Sequence, residues 1–117
     1  MLYKTEDLGQ LSVRQLRGRR RRLARALGDV EVTLQGTLIS QGRRCGKEGC
    51  RCTRGELHGP YLYLSLARAG GQSRLVYIPA SLAEAVQQRV EMTARQEGVL
   101  EEISALNLEL LARRALD

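Results

Sequence analysis

The 117-residue chain predicts an α+β fold: a small three-stranded antiparallel sheet with a Cys3His metal loop, flanked by an N-terminal basic helix and a long C-terminal helix. Three observations carry this. Two stretches of helical period each begin at a serine followed three residues later by Gln or Glu, the pattern of a capping box. Between them the apolar spacing shortens to a period of two, in three separate runs. All three cysteines and the only histidine fall between residues 45 and 58. The expected organisation is one domain over 1–117, with a basic helix at 12–28, a metal-stabilised sheet at 30–79 and a long helix at 81–115.

The first helix runs from Val13 to about Leu27, opened by Ser12 with Gln15 and stopped by Gly28. Val13, Leu16, Leu23 and Leu27 recur at helical spacing and form one apolar stripe, while Arg14, Arg17, Arg21, Arg22 and Arg25 take most of the remaining surface. Gly18 weakens the helix locally.

VEVTLQGTLIS (30–40) alternates Val30, Val32, Leu34 and Leu38 with Glu31, Thr33, Gln35 and Thr37, which reads as a half-buried strand. PYLYLSLAR (60–68) repeats the signature, with Leu62, Leu64 and Leu66 on one face and Tyr61, Tyr63 and Ser65 on the other. AGGQ offers a tight turn, and SRLVYIP (73–79) returns as a partner strand ended by Pro79. Ser81 with Glu84 then opens a helix towards Leu111. Leu82, Ala85, Met92, Val99, Ile103, Leu106 and Leu110 approximate an a/d seam, interrupted at Arg89 and Gln96, and Gly98 can bend or break it. Such a seam serves equally for packing within the chain or for a helix-mediated homodimer. With no Phe or Trp the core is aliphatic, and small chains short of core volume recruit a metal or a partner.

Cys45, Cys50, Cys52 and His58 make C-x4-C-x-C-x5-H. Cys3His is an accepted tetrahedral zinc set, and four protein donors leave no open position for catalysis. Structural Zn2+ is therefore the expected cofactor, and no catalytic residue is assigned, since Glu56 is the only local base. Two other readings stay open: ordinary reduced thiols with His58 bonded to a carbonyl, and a redox or iron–sulfur role. Three cysteines do not close a disulfide framework. No run of about 18 apolar residues is present, and the first ten residues, MLYKTEDLGQ, do not read as a signal peptide. A soluble, cytoplasmic protein is expected.

The stretch RRCGKEGCRCTRGELHGPYLYLSL, followed by a turn, a strand ending YIP and a long helix, resembles a family of small uncharacterised bacterial and archaeal proteins. It is similar to a domain of unknown function whose members often stand beside transposon-related genes. The resemblance covers roughly residues 34–111, and all the Cys and His positions of the pattern are present as Cys45, Cys50, Cys52 and His58. It implies a module associated with mobile DNA and supplies no mechanism.

The net charge is +6, but its distribution says more. From Arg14 to Arg54, eleven Arg and one Lys face Asp29, Glu31 and Glu48, a local +9; from Leu82 to the end four Arg face seven acids. Arg17, Arg19, Arg20, Arg21, Arg22 and Arg25 on the helix, with Arg43, Arg44, Lys47, Arg51 and Arg54 around the metal loop, are the expected nucleic-acid contacts, because guanidinium groups bind phosphate bidentately. Tyr61, Tyr63 and Tyr77 either stack on unpaired bases or cover the sheet beneath a helix. No Ser/His/Asp set, carboxylate pair or phosphate loop is visible, so an enzyme is not expected. The favoured expectation is a zinc-stabilised nucleic-acid-binding protein, DNA before RNA, acting as a regulator or accessory factor of a mobile element. The rival is an adaptor whose basic surface and long helix meet an acidic protein partner or a second copy.

Overall fold

Ser12 opens the first helix, α1 (Val13–Ala26): its Oγ accepts from the Gln15 N–H at 3.0 Å, and Gln15 Oε1 accepts from the Ser12 N–H at 2.8 Å. Both halves of the capping box are thus formed. In this computed structural model, residues 7–50, 54–67 and 71–117 are described. The other elements are β1 (Thr37–Arg43), β2 (His58–Ala67), β3 (Ser73–Ile78) and α2 (Ala83–Ala112), with 3-10 turns at Leu8–Gln10 and Ala80–Leu82. The chain divides into two compact units, one formed by the residues up to Thr33 with Met92–Asp117, the other by Leu34–Glu91.

The helical unit is built on leucine. Leu16, Leu106 and Leu110 are essentially fully buried, and Leu8, Leu11, Val13, Leu23 and Ala115 pack around them. Val13, Leu16 and Leu23 of the expected stripe therefore do face this core. Arginines close the edges: Arg17 donates to the Ala115 carbonyl at 2.9 Å, and Arg20 to Asn107 Oδ1 at 2.7 Å and the Leu116 carbonyl at 3.2 Å. Arg113 donates to the carbonyls of Leu8, Gly9 and Leu11 and pairs with Glu109.

The long helix differs from its expected seam in four ways, the exposure of Ala85 among them. Leu82 lies in the preceding 3-10 turn and is exposed. Gln96, expected as an interruption, is 5% exposed, because its Nε2 donates to the carbonyls of Leu27 and Asp29, both at 3.0 Å. The Leu27 carbonyl belongs to the C-cap of α1, which leaves it without a helical partner, and Asp29 lies two residues beyond. Gly98 neither breaks the helix nor meets a close neighbour. The second capping box is also corrected: Ser81 is inside the 3-10 turn, whose N-cap is Pro79 and which has no side-chain cap. Pro79 supplies the turn with a fixed φ and no N–H to satisfy.

In the sheet unit the strands are ordered β1-β2-β3, both pairs antiparallel. The expected strand over 30–40 is displaced to Thr37–Arg43. Asp29 Oδ1 accepts from the Glu31 N–H at 2.9 Å, and the Thr33 N–H bonds the Val30 carbonyl at 3.3 Å, so VEVT is taken up in a turn and Val30 is exposed. An Asp side chain competing for backbone N–H groups overrides the β propensity of the valines. Gly36 sets where pairing begins: at φ +142°, a Cβ there would stand 2.7 Å from Leu64 Cδ1 and 3.0 Å from the Ser65 carbonyl.

Register sets the faces. Ile39, Tyr63 and Tyr77 are opposite one another, as are Leu38, Leu64 and Val76 in the next row and Ser40, Leu62 and Ile78 beyond it. The leucine face holds the buried Leu64 and Ile78. The tyrosine face holds Tyr61, Tyr63 and Tyr77 with Ile39 and Leu75, and Tyr77 and Leu75 are exposed there. Of the expected AGGQ turn, Ala69 and Gly70 lie outside the described residues, as does Arg68.

Candidate metal centre

The β1–β2 hairpin carries the Cys/His segment in its loop and at the first residue of β2. Arg43 pairs with His58 across an irregularity in the register after Gln41, which brings the two ends of the loop together. Within the loop the Cys50 N–H bonds the Lys47 carbonyl at 3.4 Å, closing a four-residue turn with Gly49 at φ +75° in its third position. That position demands a left-handed residue, which glycine supplies without strain. The turn folds Cys50 back towards His58.

Cys50 Sγ lies 3.0 Å from His58 Nε2, and the ligand atoms of Cys45, Cys50 and His58 are all within 4.8 Å of one another. A tetrahedral zinc with ordinary bond lengths has S···S edges of about 3.8 Å and S···N edges of about 3.6 Å. The three donors thus fit such an ion with small adjustments, and both cysteines are unbridged. All three are half-buried, so the set is shielded but reachable. Cys52, expected as the fourth donor, lies outside the described residues. The centre shown is therefore a three-donor Cys/His group able to hold a metal ion.

A family model for a domain of unknown function (DUF6788) matches residues 13–88. The chain belongs to that family. The DUF6788 match takes in α1, the whole sheet and the first residues of α2, so every expected metal and nucleic-acid position falls inside it. No curated protein and no solved structure matches the chain.

The basic residues of this DUF6788 chain sort into two kinds. Arg17 and Arg20 are tied to the C-terminal residues, and Arg19 is half-buried with a partner of its own. Arg21, Arg22 and Arg25 are exposed on α1, as are Arg43, Arg44, Lys47 and Arg54 in the sheet unit. Arg51 lies outside the described residues. Charge alone does not separate the kinds: an arginine one turn from Leu16 reads the same in sequence as one on the open side.

Tyr61, Tyr63 and Tyr77 form one edge-to-face cluster, with Tyr77 at 6.3 Å from Tyr61 and 5.8 Å from Tyr63 between ring centroids. Arg43 joins it. Its guanidinium stands 4.7 Å from the Tyr63 ring centroid, and its Nε donates to the Tyr63 hydroxyl at 3.1 Å. Arg43 was legible as a phosphate contact, but its place over an aromatic ring was not, since the register irregularity that puts it there leaves no mark in the sequence pattern.

Among the described residues no helix is long and apolar enough to cross a membrane.

Proposed function

We propose that the protein is a zinc-stabilised nucleic-acid-binding module without catalytic activity, with DNA as its favoured partner. The observation that carries the reading is the exposed set of cations: Arg21, Arg22 and Arg25 on one unit, Arg43, Arg44, Lys47 and Arg54 on the other. A surface rich in guanidinium groups binds a polyphosphate backbone through bidentate contacts and counterion release. Cys45, Cys50 and His58, with Cys52 as fourth donor, hold zinc; the ion fixes the hairpin loop and its flanking cations, and four donors leave it no reactive position. A role as regulator or accessory factor of a mobile element rests on the family resemblance alone.

The test is a triple substitution. Arg21, Arg22 and Arg25 changed to Ala weaken duplex DNA binding at least tenfold, measured by fluorescence anisotropy, with metal content unchanged. Affinity equal to that of the unaltered chain contradicts the reading.

One observation favours the adaptor as a second reading. Leu100, Leu108, Leu111 and Leu116 are exposed although they belong to the helical unit. Size-exclusion mass before and after nuclease, read with absorbance at 260 nm, separates the two: assembly that survives nuclease and carries no absorbance supports the adaptor.

A further inference from the structure

The geometry points to the tyrosine face of the sheet as a stacking site for the unpaired bases of single-stranded DNA. This deepens the nucleic-acid reading above and rests on it. Tyr61, Tyr63 and Tyr77 occupy one face, Tyr77 is 53% exposed on the edge strand, and Leu75 beside it is exposed as well. The Tyr63–Tyr77 pair stabilises the sheet as a cross-strand aromatic pair, and the exposure of Tyr77 leaves ring surface open beyond that role. Every nucleobase has a π-face that such rings can cover, and stacking of this kind is tolerant of sequence.

The charge around the rings selects the occupant. From Leu34 to Pro79 seven Arg and Lys face only Glu48 and Glu56. Arg43 is anchored through Nε on the Tyr63 hydroxyl and remains exposed, so its Nη groups are placed beside the rings to meet a phosphate. An acidic protein would satisfy the charge and leave the aromatic row unused; a single strand satisfies both. Ile39 and Leu75 share the tyrosine face with Thr37, Gln41 and Ser65, and the choice of DNA over RNA is carried over from the proposed function on which this inference rests. A duplex keeps its bases stacked on one another and cannot use this face.

The chain has no Trp, so its intrinsic emission comes from four tyrosines, three of them in this cluster. Titration of the full chain with a twelve-nucleotide oligo-dT is expected to quench that emission. Tyr77→Leu should weaken oligo-dT binding at least fivefold, Tyr77→Phe less than twofold, and neither should change affinity for a duplex of equal length. Tyr77 is exposed, so both variants keep the fold, which the unchanged duplex binding also checks. Equal loss in Leu and Phe variants, or unquenched emission on bound oligo-dT, overturns the stacking site. Tighter binding of oligo-rU than of oligo-dT overturns the assignment to DNA. Duplex binding without oligo-dT binding overturns this inference and leaves the broader reading standing; binding of neither removes both.

Discussion

Gln96 is one polar side chain holding two segments at once. Its amide nitrogen takes the carbonyls of Leu27 and Asp29, while its Oε1 is buried with no hydrogen-bond partner. Gln96→Ala leaves two carbonyls without their donor and is expected to cost about 1–3 kcal/mol, read from the urea midpoint. The same substitution on the exposed side of the helix, at Gln87, should change stability by less than about 0.5 kcal/mol. In the sheet, Gly36→Ala meets Leu64 and a backbone carbonyl at a φ that alanine resists, so a loss of about 1–3 kcal/mol is expected. At the metal centre, Cys50→Ser and His58→Ala should each abolish stoichiometric zinc, measured by elemental analysis against about one ion per chain for the unaltered protein. Retention of zinc by both variants contradicts the donor set.

At the scale of elements, legibility followed what each signal depends on. The capping box of α1 is local, needing only Ser12, Gln15 and their own backbone, and it formed as spaced. Ser12→Ala should therefore cost about 0.5–2 kcal/mol. β2 and β3 were legible because Leu62, Leu64 and Leu66 alternate with tyrosines under no local competition. β1 begins later than the alternation of Val30 and Val32 predicts because Asp29 takes the Glu31 N–H and turns the chain there. The second capping box failed for a related reason: Pro79 starts a 3-10 turn two residues before Ser81, so the serine never reaches a cap position. The buried face of α2 was half legible. Leu106 and Leu110 lie on the expected seam, whereas the burial of Gln96 depends on carbonyls 67 and 69 residues away. The metal group was legible as a cluster, and the turn that brings Cys50 to His58 could be inferred from its glycines, but not the 3.0 Å approach itself.

At the scale of the molecule, the two units lean on different forces. Residues around Leu16, Leu106 and Leu110 are held by leucine packing, where Leu110→Ala should cost about 2–5 kcal/mol. The sheet unit buries little, with Leu64 and Ile78 its only apolar side chains below a tenth exposed among the described residues, so a metal held by Cys45, Cys50 and His58 would contribute a larger share of its stability. Chelation should accordingly raise amide exchange in β1 and β2 far more than in the Leu106–Leu110 turn of α2. Equal acceleration in both would show that the ion does not hold the sheet. The proposed function joins a metal loop to exposed cations, and its most direct test is the salt dependence of duplex DNA binding by the zinc-loaded chain. A log–log slope of about −2.7 or steeper is expected, since at least three phosphates are neutralised at about −0.9 each. Binding indifferent to salt, or no binding at low salt, would contradict it.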